Sequence, residues 1–386
     1  MTQLKTNLLL LLMSVVFSYI IAELAYSYLY INHFVGKKTL WFHEASDPGN
    51  NIVFNPYIGY KISKTPSRFG AVTSEGKLES MGMMQGNNFG FPDERDFPIN
   101  PKDTAITRIA ILGDSFTASQ FTNKSWVEII EDSLNIESED SILLMNFSLD
   151  GGGLGNWHSI VKNIILKNNF KLDGIVFAIM GDNLDRKFMW GNDHILSDDK
   201  YAFAVGRNLT WDPALNPVYE DTLNPIFLEN YLVLPNHEVN KIVQGNWMPQ
   251  RKIKAYLYDA FKQTIRKLIF QFKYPEIFQT AHAEQPGFFT PEQRQLIHDL
   301  SRDCQKLDIP VLTLSFLTNH QNSKGFAKIL NSHFLDDKAF QSCMLNTKQK
   351  INIEGDAHWN NDGVSLFAKS MYADFRKALT EANIIE

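Results

Sequence analysis

A three-layer α/β/α sandwich on a mainly parallel sheet is the fold this sequence predicts, preceded by an apolar N-terminal segment and interrupted by an insertion. Three observations predict it. Short apolar runs of strand length recur, stretches of helical period separate them, and turn residues, glycine above all, close the runs. Strands that alternate with helices pack in parallel with both faces covered, so their sequences are apolar throughout and do not alternate. At 386 residues, 44% of them hydrophobic and 21% charged, the chain can bury the core of one large domain or two modest ones.

The elements follow in chain order. Leu8 to Ala22 is uncharged and mostly apolar, and Leu24 to Ile31 extends the run past a single acid, Glu23. A bilayer core takes about 20 apolar residues at ~1.5 Å each. Residues 1–35 are therefore expected to form a transmembrane anchor, with Tyr26, Tyr28 and Tyr30 at the interface. Lys5 favours a cytoplasmic amino end, although Lys37 and Lys38 on the far side weaken that vote. A cleavable signal peptide is the rival reading, because Ala25-Tyr26-Ser27 loosely fits a small-x-small site. A buried core helix would be oddly apolar all round. Anchor or signal peptide, the bulk of the chain is expected in the periplasm or outside the cell.

Residues 36–103 are broken by Pro48, Gly49, Pro56, Pro66, Pro92, Pro98 and Pro101, and read as a linker and irregular arm. The main domain is expected over 104–386. Arg108 to Leu112 is a buried strand that stops at Gly113, and Ser125 to Leu134 is a helix burying Trp126, Ile129, Ile130 and Leu134. Ile142 to Phe147 is a second strand, Leu154 to Phe170 a helix, and Gly174 to Met180 a third strand. An insertion over about 185–289 is too long for a plain loop and carries Trp190, Trp211 and Trp247. Within it, Lys252 to Phe272 has the pattern of a basic amphipathic helix, packed on the core with a solvated basic face or lying on a membrane surface. Thr290-Pro291-Glu292-Gln293 is a capping box with proline at N1, opening a helix to about Leu307. A strand over Pro310 to Leu317 and a helix over about Gly363 to Ala382 complete the chain.

A net charge of −6 argues against a dedicated nucleic-acid binder. The two cysteines, Cys304 and Cys343, lack the spacing of a metal site, and both a pairing outside the cytoplasm and two free thiols stay open. No metal or organic cofactor is implied.

The chemistry gathers at the strand ends. Gly113-Asp114-Ser115 is a weak motif by itself, but a serine on a sharp turn at the carboxyl end of a strand holds its hydroxyl clear of the sheet. The alternative is a helix N-cap serine. A serine attacks only when a base takes its proton. Among ten histidines, His358 stands in Asp356-Ala357-His358-Trp359-Asn360, where a carboxylate can take the Nδ1 proton and leave Nε2 free. An oxyanion needs donors already in place. Candidates are the Ser115 N–H, the Gly151 N–H in the turn Asn146 to Gly155, and the Asn183 side-chain amide in Gly181-Asp182-Asn183. A glycine-rich turn of this kind could instead cradle a phosphate, but it lacks the P-loop lysine and the GxGxxG order.

In order and place, RIAILGDSFT, NFSLDGGG, GDN and DAHWN resemble the four blocks of the SGNH/GDSL hydrolases. Asn88-Phe89-Gly90-Phe91 and Ala22-Glu23-Leu24 look like membrane-anchored bacterial members. The resemblance covers roughly Asn88 to Asn183 and Ile351 onward, and leaves the insertion out. It implies an SGNH-like, flavodoxin-like sandwich with Ser115 as nucleophile, His358 as base and Asp356 as orienting acid. Ser115, Gly151 and Asn183 would form the oxyanion hole. The family places two residues between acid and histidine where this chain has one, so Glu354 is a spare acid; the third block, Gly-Asp-Asn-Leu, also departs from Gly-x-Asn-Asp. The implied activity is hydrolysis of an acyl or acetyl ester on a surface carbohydrate or lipid. An O-acyltransferase using the same three groups, or an inert binding protein on this fold, are the alternatives.

Overall fold

The structure is a computed structural model that describes residues 2–29, 39–45, 52–73, 75–99, 106–137, 141–181, 183–186, 191–196, 201–211, 217–247, 289–317 and 320–386. Its first element is one helix, α1 (Thr2–Leu29), which exposes Leu10, Leu11, Met13, Phe17, Ile20, Ile21 and Leu24. Glu23 lies within it, accepting a hydrogen bond from Tyr19 Oη at 3.3 Å. Among the described residues no helix is long and apolar enough to cross a membrane, so the expected transmembrane helix finds no support there.

The body of the molecule is the expected doubly wound sheet. Strands β6 (Ile106–Leu112), β7 (Ser141–Asn146), β8 (Gly174–Met180), β12 (Val311–Phe316) and β13 (His333–Asp336) stand in the order β7-β6-β8-β12-β13. Every neighbouring pair is parallel. Each strand turns alternate side chains to opposite faces. Ile109 and Ile111 enter one core with Leu144, Val176, Leu314 and Phe316, under helices α3 (Trp126–Glu137) and α9 (Asn361–Glu381). Ala110 and Leu112 enter the other with Met145, Ile175 and Phe177, under α4 (Leu154–Ser159) and α6 (Pro291–Leu307). Helix α4 widens into π-helical turns over Ile160–Leu166, which keeps Ile160, Val161, Ile164 and Ile165 buried. The capping box expected at Thr290 forms: its hydroxyl accepts from Gln293 N at 3.2 Å and its N–H donates to Gln293 Oε1 at 2.7 Å. Helices α7 (His320–Leu330) and α8 (Lys338–Asn346) flank β13, and the sequence pattern singles out none of these three. Both cysteines are free thiols, Cys304 buried and Cys343 partly exposed.

The expected irregular arm is instead strand-rich. It carries β1 (Thr39–Glu44), β2 (Ile52–Asn55), β3 (Gly59–Ile62), β4 (Ser67–Thr73) and β5 (Leu78–Met84). The expected insertion supplies β9 (Gly191–Leu196), β10 (Tyr201–Trp211), β11 (Pro217–Leu234) and the helix α5 (Asn236–Val243). The two regions share one six-stranded sheet, ordered β5-β4-β1-β11-β10-β9, in which β1 pairs antiparallel with β4 and parallel with β11. Pairing across that distance, not the local prolines, decides the conformation of the arm. A third, small core of Phe42, Val72, Leu234, Val239, Ile242 and Trp247 packs against this sheet. Trp190 and the amphipathic stretch from Lys252 to Phe272 lie outside the described residues.

Candidate active site

The order β7-β6-β8 contains the point where the winding of the sheet reverses, and crevices in such sheets open beyond the carboxyl ends of the strands there. Ser115, Gly151 and Asn183 follow those three strand ends. At β6, the chain turns at Gly113, where a side chain would collide with that of Thr117. Asp114 then caps the one-turn helix α2 (Ser115–Ala118), accepting from Phe116 N at 3.1 Å. The capping role therefore belongs to Asp114, and the Ser115 hydroxyl is left for other work.

The candidate base, His358, arrives on a tight loop. Ile353 N donates to His358 O at 2.9 Å, Asn352 bridges Trp359, and Gly355 takes φ +75, a left-handed conformation that glycine adopts freely. This turn brings residues two apart onto one side, so a single intervening residue suffices between acid and imidazole. His358 Nδ1 donates to Asp356 Oδ1 at 2.5 Å, and His358 N donates to the same oxygen at 2.9 Å. His358 Nε2 then stands 2.8 Å from Ser115 Oγ. Glu354, the spare acid, pairs with Lys350 at 3.1 Å instead. Trp359 anchors the loop: it is 2% exposed, with Phe116, Phe340 and Phe367 rings at 5.0, 5.1 and 4.7 Å.

Electrostatics fit the geometry. Burial works against a charged imidazole, but the hydrogen bond and charge of Asp356, with the nearby Asp150 and Asp114, raise the His358 pKa above its ordinary value. Burial likewise opposes ionisation of Asp356, but His358 and the Trp41 indole hold its carboxyl below the usual carboxylate range. The imidazole is thus oriented, and its protonated form is favoured by a neighbouring charge.

Neither a family model nor a curated protein sequence matches this chain. Solved structures do. The psychrotrophic esterase EstA from Pseudoalteromonas sp. overlays with a TM-score of 0.35 at 12% identity, covering 71% of this chain and 99% of that one. TesA gives 0.35 at 9% identity, over 71% and 100%. A catalytic mutant of Axe2, an acetylxylan esterase from Geobacillus stearothermophilus, gives 0.37 at 10% identity, over 71% and 94%. Overlays this loose leave the reading of the site to its own geometry.

The oxyanion candidates are near neighbours in this geometry. Asn183 is fully buried; its Oδ1 accepts from Met180 N at 2.6 Å, and its Nδ2 donates to Asp114 Oδ2 at 2.8 Å. The second Nδ2 hydrogen meets Gly152 O only at 3.5 Å, so it is weakly held. Gly151 sits at φ +69 in the turn after β7. A Cβ on the next residue, Gly152, would lie 2.8 Å from Gly113 O, so the turn touches the turn that carries Ser115 backbone to backbone. Asp182 lies outside the described residues. Among the described residues no group of three His, Cys, Asp or Glu side chains is placed to hold a metal.

Three contributors escaped the sequence reading. Asp114 carried a recognisable signal, standing beside the serine, but its bond to Asn183 is tertiary. Asp150 Oδ1 is buried without a hydrogen-bond partner, and burial, reinforced by Asp114 and opposed by His358, pushes its carboxyl up to about 6. An aromatic frame of Phe116, Phe121 and Trp41 surrounds the His358 ring at 4.8, 5.2 and 5.4 Å. Trp41 comes from the arm, and nothing in its local sequence signals the site.

Proposed function

We propose that this protein is a serine-dependent ester hydrolase of SGNH/GDSL type, removing acyl groups, acetyl foremost, from a carbohydrate or lipid at the cell surface. One observation carries the reading: the unbroken chain from Ser115 Oγ to His358 Nε2 at 2.8 Å and from His358 Nδ1 to Asp356 Oδ1 at 2.5 Å. In this reading Nε2 takes the Ser115 proton as Oγ attacks the ester carbonyl, while Asp356 holds the tautomer and offsets the imidazolium charge. The N–H groups of Ser115 and Gly151 and the weakly held Asn183 Nδ2 hydrogen receive the negative oxygen. The imidazolium returns its proton to the departing alcohol, and water repeats the sequence to release the acid and regenerate Ser115.

The substrate class comes from the sequence resemblance, as does the placement outside the inner membrane. The apolar side chains that α1 exposes support membrane association, since a run of them is costly in water. The test is hydrolysis of aryl acetates and of longer acyl esters by the full chain. Ser115→Ala is expected to lower kcat by on the order of 10⁴-fold or more, and equal turnover by the variant would end this reading. Recovery of the full chain, but not of a chain lacking α1, with the membrane fraction tests the location.

A further inference from the structure

Besides Tyr60 Oη, which donates to Asp150 O at 3.2 Å beside Gly151, four residues of the arm make hydrogen bonds to the two segments that must meet. Trp41 Nε1, on β1, donates to Asp356 Oδ2 at 3.3 Å, and its ring stands edge-on to the His358 imidazole at 85°. Thr39, two residues earlier on the same face, donates its hydroxyl to Glu354 O. Glu79, on β5, accepts from Glu354 N at 3.3 Å and from Lys350 Nζ at 2.5 Å, with its side chain only 5% exposed. Ser80 Oγ donates to Phe121 O at 2.6 Å, just beyond the nucleophile turn. One sheet thus ties down both the acid–imidazole loop and the chain that follows the serine.

We infer that Trp41 is a positioning residue for the Asp356–His358 pair, and that the arm is the brace that fixes the reactive geometry. The argument starts at the carboxylate. Asp356 Oδ1 takes two donors from His358, whereas the donor at Oδ2 is the Trp41 indole. The loop itself is open to water, with Glu354, Gly355 and Ala357 exposed. A carboxylate held at one oxygen can swing about its Cβ–Cγ bond and present the imidazole with poor angles; a donor on the second oxygen fixes the plane. Trp41 is in turn clamped by Phe69, stacked at 5.6 Å, and by Phe121, edge-on at 5.0 Å. Holding a base within a fraction of an ångström decides rates, because small misplacements cost up to ~10²-fold.

This inference rests on the hydrolase reading for its kinetic arm only. Trp41→Phe keeps an aromatic ring and deletes the N–H. On an aryl acetate it is expected to lower kcat about 10–100-fold with KM unchanged within about twofold, and Trp41→His, which restores a ring N–H, to recover part of the loss. In an Asp356→Ala background the same change is expected to cost less than about twofold, since a brace that acts through the carboxylate has nothing left to hold. An equal loss in both backgrounds, or no loss in the first, overturns the proposal. The second arm needs no turnover. The downfield His358 Nδ1–H resonance of the full chain is expected to exchange at least about tenfold faster in Trp41→Phe and to slow again in Trp41→His. If wild type hydrolyses no ester while this signal behaves so, the function fails and the brace stands. If wild type is active and the signal is unmoved, the brace fails and the function stands.

Discussion

The parallel sheet and the mixed sheet make a useful contrast. The parallel sheet is built around strands buried on both faces, and it delivers the serine, the glycine turn and the asparagine from three adjacent strand ends. The mixed sheet gathers β1, β4 and β5 with strands from far along the chain, and supplies only neighbours of the reacting groups. In the proposed reading the first region places the chemistry, and the second braces it. A fold can therefore carry its reactive groups on one sheet and their tolerance on another.

Substitutions can break or sharpen that contrast. The largest effect is expected from Asp356→Asn, where both regions meet: kcat should fall on the order of 10⁴-fold, as when an orienting acid is lost in other triads. The pH profile gives the sign. The base works only when neutral, so kcat/KM of wild type should rise with pH through a midpoint above 6.5, the ordinary histidine value that Asp356 raises. Without the carboxylate the protonated imidazole loses its partner, and the midpoint should move down. A midpoint at or below 6.5 in wild type would contradict the electrostatics described here.

Asn183→Ala belongs wholly to the parallel sheet. It should cost about 10²–10³-fold in kcat, measured on the same aryl ester. Trp359→Ala tests the anchor of the base loop and should destabilise the body by about 3–5 kcal/mol, read from the denaturant midpoint at constant m. The smallest effect is expected in the mixed sheet: Ser80→Ala removes one buried hydrogen bond to Phe121 O and should cost about 1 kcal/mol. If Ser80→Ala proved as costly as Trp359→Ala, the separation of roles between the two sheets would not hold.

What the sequence disclosed follows the same division. Ile142 to Phe147 and Gly174 to Met180 were legible because a strand covered on both faces writes itself as an apolar run. The loop of His358 was legible because an acid, an imidazole and a tryptophan stand within four residues. The arm strands were not. Thr39–Glu44 mixes polar and apolar residues, and its partners, Thr73 through Phe69 and Tyr231 through Leu234, are set by tertiary pairing. Strand β13 is four residues long and half-buried throughout, too short for a period to show. Trp41 and Glu79 reach the site only through that long-range pairing, and Asp150 only through burial in the finished fold. The choice between Asp356 and Glu354 likewise needed the turn at Gly355, whose backbone puts one carboxylate on the ring and sends the other to Lys350.

The bond between Ser115 and His358 joins positions 243 residues apart. Closing a loop of that length costs about 5 kcal/mol of chain entropy, taken as (3/2)RT ln n, and it cannot form until His358 has been made. During synthesis the alcohol emerges well before the imidazole, so under the proposed reading the nascent chain carries the serine without its base. Under that reading reactivity would report completed folding: a protein misassembled around His358 would retain its serine and lose its power to attack.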